Sequence, residues 1–441
     1  MRGRIFTWTV IAVGAAGLFG CHGRSELGPT LSKQTPTVNP TPQVFADGPR
    51  LGSIANVTPI LERPEKGSKL IGYLHAGSTV ARATALSGSV GCPNGWYAVY
   101  PRGFVCVGES ASLDPEHPTL LAMATQPKLD ANLPYTYART RDDTPTWEAS
   151  ADQEGSVRAL ADVPSRSGLA VIGSWQALDE EKKPLHLAMM TDGRFIDTNE
   201  LEAARLSEFK GITLDEAQSL PVAFVVKRGV NAWQLDKDDP RKAQDLSFHY
   251  KVALDGKSRT VQKERFWAIP GGKWIRQKDV TVIQSRSDFP DFVQDGTHWV
   301  DISVLAGTAV MYEGKRPVYA TLVSVGEDRM GDPNAAAATI RGDFPITFKH
   351  ITAVGTDARR FADGVEMHDV PWALELSSGQ WLHGAYWHDR FGLGHGPGNI
   401  QFSPYDAAHL WHWAGPALPQ GWHGIADDRP DAQRTMVSIH K

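Results

Sequence analysis

Six histidines, His383, His388, His395, His409, His412 and His423, crowd residues 383–423 of this 441-residue chain, whose three cysteines, Cys21, Cys92 and Cys106, all lie in its first quarter. Imidazole takes up and releases a proton near neutrality, and in its neutral form it ligates metals. His409 and His412 stand three apart, the spacing of one helix face. No His-Glu-x-x-His or comparable ligand spacing occurs, so the expectation is no metal and no cofactor, with a His-based metal hydrolase kept as an alternative. A thiolate nucleophile is another matter. No cysteine follows residue 106, so nothing in the last three quarters of the chain supplies one.

The elements that must position these residues read as strands. His298-Trp-Val-Asp-Ile-Ser-Val304 and the run from Thr308 to Gly326 alternate with period two, and Glu313-Gly314-Lys315 marks a hairpin turn. Ser403-Pro404-Tyr405-Asp406 is a capping box with proline in the first turn, and Ala407, Ala408, Leu410 and Trp411 continue that helix. Two similar strand, turn, strand units, Leu187–Ile196 and Phe266–Ile275, lie in a β-rich middle region, residues 117–290. Residues 198–216 hold enough Leu, Ala and Glu for a short helix. Trp381, Trp387, Trp411, Trp413 and Trp422 could stack on sugars, but buried aromatics are the usual outcome in such sandwiches and this stripe reads as core.

Composition narrows the class. A chain this long with 29 Pro and 42 Gly implies several modest domains. The net charge of −5, with no basic stripe, argues against nucleic acid. Arg2 and Arg4 precede a short apolar run, Ile5 to about Phe19, which reads as a secretion signal. Leu18-Phe19-Gly20-Cys21 resembles a bacterial lipobox, with Phe19 atypical; it implies a lipid on Cys21 and makes residues 1–21 the signal peptide, against a plain signal cut near Gly20 or Gly23. Residues 22–52 are too polar to bury much surface and read as a tether. The expectation is an exported, membrane-anchored lipoprotein facing the periplasm or cell wall.

In an exported chain Cys92 and Cys106 meet oxidising conditions, so a disulfide is expected, the competing reading being a two-cysteine metal site. Residues 53–116, with Gly95-Trp96-Tyr97 followed by Gly103-Phe104-Val105-Cys106-Val107, resemble bacterial SH3-like domains and so imply a small barrel.

Val370-Pro371-Trp372, Trp381-Leu382-His383-Gly384-Ala385-Tyr386-Trp387-His388 and the Ser403-Pro404 helix resemble the L,D-transpeptidase (YkuD-like) catalytic domain. Ser324-Val325-Gly326 and Thr339-Ile340-Arg341-Gly342-Asp343-Phe344 match its earlier segments, without the family's proline. The resemblance covers about residues 296–416, assigned to a domain at 291–416 with 417–441 as a tail. It implies a mainly β fold: an SH3-like barrel, the β-rich middle, and a C-terminal sandwich with a short helix after the active-site loop. Active members carry Ser-His-Gly-Cys-x-Asn or Arg where this chain has Gly394-His395-Gly396-Pro397-Gly398-Asn399-Ile400-Gln401. The family's chemistry is thiolate attack on a stem-peptide carbonyl, with a histidine base and backbone amides for the oxyanion.

Aligned without gaps, the family's serine falls on Gly396, its histidine on Pro397, its glycine on Gly398, its cysteine on Asn399 and its Asn or Arg on Gln401. With a two-residue insertion, His395-Gly396 keeps the His-Gly and Pro397 replaces the cysteine. The gapless form is preferred because the spacing agrees on both sides, and both lack the thiol. Asn399 and Pro397, with His383 and His395, are therefore the degenerate catalytic positions, and Tyr386, Trp387, Gly398 and Gln401 the expected substrate-binding residues. The expected function is a peptidoglycan-associated, non-catalytic binder or regulator, its partners stem peptides or other wall components. The other alternative is an acyltransferase using Ser403, Ser324 or Tyr386 as nucleophile.

Overall fold

Alternating apolar residues dominate the computed structural model, which describes residues 43–441 apart from 151–154, 180, 217, 238, 335–336 and 355–364. The secretion signal and Cys21 lie outside the described residues, as does most of the expected tether. The fold is mainly β. The two α-helices among the described residues are Pro118–Ala122 and Pro404–Trp413.

The long strand Gly342–Val354 organises the C-terminal region. One edge pairs antiparallel with Met436–His440 and then Gly424–Ala426, and the other pairs with Asp369–Leu376. Met436–His440 also runs parallel to His298–Ser303, which leads into the hairpin Thr308–Glu313 and Arg316–Leu322. That hairpin closes through Glu313 opposite Arg316, leaving Gly314 and Lys315 as a two-residue turn with Gly314 at φ +57°. Residues 417–441, expected as a tail, thus supply two strands to the sheet. Met436–His440 alternates in the period-two pattern, burying Val437 and Ile439 in the main core.

That core is a sandwich: Val300, Ile302, Trp372, Leu374, Leu382, Ile400 and Phe402 from the strands meet Leu410 and Trp411 from the helix. The helix starts where its sequence dictates, with Ser403 Oγ accepting from the Asp406 amide at 3.1 Å and Pro404 in the first turn. Asp406 is itself buried, and its carboxylate accepts from the Gly211 amide (2.9 Å), Tyr319 Oη (2.6 Å) and Thr321 Oγ1, tying the helix to the strand Arg316–Leu322 and to the residue that leads into Ile212–Thr213.

The N-terminal strands do not close into a barrel. Arg50–Ser53, Thr79–Ala81 and Ala111–Ser112 form a three-stranded sheet, while Thr58–Leu61, Leu70–Leu74, Trp96–Ala98 and Phe104–Cys106 continue the large C-terminal sheet. The physical reason is an edge: Leu70–Leu74 pairs its outer side with Gly424–Ala426. Arg50–Ser53 also takes up the end of the expected tether. Cys92 and Cys106 are joined by a disulfide with Cα atoms 5.8 Å apart.

In the middle region, both recurring units are hairpins followed by a 3-10 turn and another strand. Pro184–Met190 and Phe195–Asp197 precede the turn Thr198–Glu200, and Glu264–Ile269 and Lys273–Arg276 precede Gln277–Asp279. The helix expected over 198–216 does not form. Leu201–Ala203 pairs instead with Thr136–Thr140, and Ile212–Thr213 with Arg316–Leu322, so available sheet edges override helix propensity.

Candidate functional site

The strand Trp381–Gly384 lies between Asp369–Leu376 and Ile400–Phe402, antiparallel to the first and parallel to the second. The parallel register sets His383 beside Gln401 and Gly384 beside Phe402. Residues 385–399 form the crossover, and they include the stretch that the resemblance aligns with the family's cysteine motif.

Backbone and side-chain bonds pin this crossover closely. Gln401 exchanges two backbone hydrogen bonds with Ser324, at 2.9 and 2.8 Å. Its side chain is fully buried: Oε1 meets His388 Nε2 at 2.5 Å, and Nε2 donates to the His395 carbonyl at 3.1 Å. His388 and His395 pack edge to face with centroids 4.4 Å apart. The Gly398 carbonyl accepts from Gln380 Nε2 (2.8 Å) and Thr339 Oγ1 (2.9 Å), while Thr339 Oγ1 accepts from the Gly326 amide (2.8 Å). Gly398 sits at φ +117°, and a Cβ there would lie 2.7 Å from the Ala338 carbonyl oxygen, so only glycine fits.

Asn399, at the family's cysteine position in the gapless alignment, is only 8% exposed, and its Oδ1 accepts from the Trp381 amide at 3.1 Å. It acts as a clasp between two parallel strands. Pro397 is exposed at the loop surface. His383 is 1% exposed and stacks on Trp387 at 5.7 Å, and burial lowers its pKa to about 4. Burial likewise lowers His388 to about 3. Both imidazoles are therefore neutral across the physiological range.

Tyr386, expected to line a substrate pocket, is buried to 1% and packs on Tyr137 at 4.4 Å, its hydroxyl donating to the Asp369 carbonyl at 3.3 Å. Desolvation raises its pKa far above the usual phenol value, so it supplies no phenolate. Gln401 is likewise interior. The structure brings His383, Trp387, His388, His395 and Gln401 together as a packed layer, while Tyr386 faces a second cluster around Asp369. Apolar strands on both sides exclude the water that would keep such polar groups at a surface.

The substitute nucleophiles are occupied too. Ser403 caps the helix, and Ser324 Oγ donates to the Arg390 carbonyl at 2.9 Å. His409 packs on Tyr319 at 4.4 Å, and His412 Nε2 sits 2.7 Å from the Leu129 carbonyl. Among the described residues, no group of three or more His, Cys, Asp or Glu side chains is arranged to hold a metal. Gln380, which braces the Gly398 carbonyl, escaped the sequence reading because a lone glutamine after a Ser-Ser-Gly turn carries no signal of its own.

No family model matches the sequence, and no curated protein matches it. Among solved structures, the chain is similar to an L,D-transpeptidase (Yku) from Stackebrandtia nassauensis, at 18% identity and a TM-score of 0.24 over 35% of this chain and 62% of that one. A similar likeness holds for residues 123–326 of the L,D-transpeptidase from Xylanimonas cellulosilytica, at 18% identity and a TM-score of 0.23 over 35% and 65%. The L,D-transpeptidase from Mycobacterium smegmatis is matched over its whole length and 53% of this chain, at 14% identity and a TM-score of 0.24. The chain spans less than two thirds of the first two. Scores of this size carry nothing about activity.

Proposed function

We propose that this protein is an exported, lipid-anchored cell-envelope component of L,D-transpeptidase descent that associates with peptidoglycan as a non-catalytic binder or regulator. The observation that carries the reading is Asn399: where the resemblance requires an attacking thiolate, the chain has an amide whose oxygen is committed to the Trp381 backbone. An amide nitrogen is not basic and cannot accept an acyl group. The gapless neighbour for the base is Pro397, which carries no proton acceptor on its side chain. The remaining support comes from the sequence: the Val370-Pro371-Trp372 strand, the His383 to His388 segment and the Ser403-Pro404 helix retain the family's frame around the altered loop. The SH3-like resemblance of residues 53–116 and the lipobox at Cys21 fit a chain held at the membrane with its folded part reaching the wall.

Incubating the full chain with tetrapeptide muropeptides and reading intact mass and product profile tests this directly. The expected result is an unmodified chain and no cross-linked dimer; an acyl adduct would sink the non-catalytic part. Co-sedimentation with purified sacculi tests the other part, with retention in the pellet expected and an empty pellet overturning peptidoglycan association.

A further inference from the structure

Away from the crossover's packed layer, a cleft of about 780 Å³ opens in the middle region, with Asp389 of the crossover in its wall. Four cationic side chains line it, Arg205, Lys210, Arg228 and Lys251, and they arrive from three separate chain segments. Asp389 and Glu208 are the carboxylates in its wall. Asp389 is already engaged, accepting from Ser207 Oγ at 2.5 Å and lying 3.4 Å from His249 Nδ1. No carboxylate pairs with Arg205, Lys210 or Arg228 among the described residues; Arg228 lies over the Phe248 ring at 4.9 Å and Lys210 over Tyr405 at 5.5 Å. Lys251 Nζ is drawn inward, donating to the Gly211 carbonyl at 2.6 Å and the Lys210 carbonyl at 3.2 Å. Desolvation and the nearby Lys210 charge lower its pKa, and the buried Asp406 only partly offsets them, so Lys210 and Lys251 add positive potential to the same wall.

Four cations against two carboxylates leave this concave surface with a net positive charge, which favours an anion. Their arrangement favours one kind. A carboxylate presents two coplanar oxygens and suits a single fork, whereas a phosphate presents acceptors in several directions and can be met from three walls at once. We infer that the cleft lined by Arg205, Lys210, Arg228 and Lys251 binds a phosphate group, borne by a soluble phosphate ester or by a phospholipid headgroup. This site is independent of the reading given to the Asn399 loop, and its test leaves that reading untouched.

The experiment is a calorimetric titration of the full chain at low salt with tripolyphosphate, with a glutamate oligomer of matched charge, and with phosphatidylglycerol vesicles against phosphatidylcholine vesicles. Tripolyphosphate binding should weaken at least tenfold in Arg228→Ala/Lys210→Ala and stay unchanged in Lys182→Gln, a charge removed elsewhere on the surface. Thermal melts should be the same for all three proteins, since Lys210 and Arg228 are exposed. Vesicle binding that the double variant abolishes assigns the phosphate to a headgroup; tripolyphosphate binding alone assigns it to a soluble ester. Equal affinity for the glutamate oligomer, or a loss no greater in the double variant than in Lys182→Gln, overturns the proposal, as does no binding of any phosphate probe.

Discussion

Two histidine clusters in this chain are built from similar parts and do different jobs. At the crossover, His383 on the strand before it and His388 and His395 within it lie within thirteen residues of one another and brace a turn. At the joint between the N-terminal strands and the C-terminal sheet, His75, His350 and His423 come from positions up to about 350 residues apart and fasten two regions together. His75 stacks on His423 at 4.6 Å and on Tyr73 at 5.2 Å, and Tyr73 Oη meets His350 Nδ1 at 2.9 Å. Neither ring nitrogen of His75 has a hydrogen-bond partner among the described residues, so the cluster depends on His75 staying neutral. The comparison separates local from long-range use of the same side chain. Burial holds His383 and His388 in one cluster, and His75, His350 and His423 in the other, below the ordinary imidazole pKa, so a crowd of histidines in the sequence signals packing here.

The joint should be the easier region to break. Gly72 and Gly424 let their strands approach: a Cβ on Gly72 would lie 2.3 Å from the Trp422 ring, and one on Gly424 would lie 2.2 Å from Tyr73. Trp422 is fully buried, and its Nε1 donates to the Tyr100 carbonyl at 3.0 Å. Trp422→Ala should therefore cost about 3–5 kcal/mol in denaturant unfolding, and Gly72→Val about 1–3 kcal/mol or more. If Gly72→Val unfolds at the wild-type midpoint, the joint is not the tightly packed contact described here.

Acid should weaken both clusters next. Burial lowers His350 to about 3 and His423 to about 4, and drives His75 well below the ordinary histidine value. Each unfolded histidine takes a proton below about pH 6.5 that its folded counterpart refuses, so stability is full above that pH and falls as pH drops toward 4. Asp369, held up to about 7 by burial, acts the other way: its folded carboxyl binds a proton that the unfolded one releases, and that contribution fades as pH rises through 7. The buried histidines, His383 and His388 among them, outnumber the raised carboxyls Asp369 and Asp406, so acidification leaves a net loss, each uncompensated proton being worth about 1.4 kcal/mol per pH unit. Chemical unfolding from pH 7 to pH 4 should show a falling midpoint, and His75→Phe should flatten that fall. A midpoint that rises on acidification would mean that Asp369 and Asp406, also raised by burial, dominate.

Much of the frame was legible because it is local. The Glu313-Gly314-Lys315 turn, the Ser403-Pro404 cap and the period-two strands each carry their signal within a few residues. The sequence did not disclose that Met436–His440 would insert between two distant strands, or that Leu70–Leu74 would pair with Gly424–Ala426 instead of closing a barrel. Those are choices among competing sheet edges, decided by the whole assembly. The same limit applies to the site. The resemblance assigned roles to residues 397 and 399 from their types alone, but only the three-dimensional arrangement shows Tyr386 turned toward Asp369 and Asn399 bound to Trp381.

The loop itself should respond least, and the informative substitution there is Asn399→Cys. It restores a sulfur at the position the resemblance assigns to the nucleophile while removing one buried hydrogen bond, so stability should fall by about 1–2 kcal/mol. Reactivity should not return. Pro397 offers no base in the preceding turn, and His383 is buried against Trp387 with its pKa near 4. A buried, unassisted thiol stays protonated and inert. Alkylation of the variant with iodoacetamide at pH 7 should therefore be slower than that of a free exposed thiol, with no acyl adduct from muropeptides. Rapid alkylation together with an acyl adduct would show that the thiol alone was missing, and that the loop's packed layer opens readily enough to serve as a catalytic site.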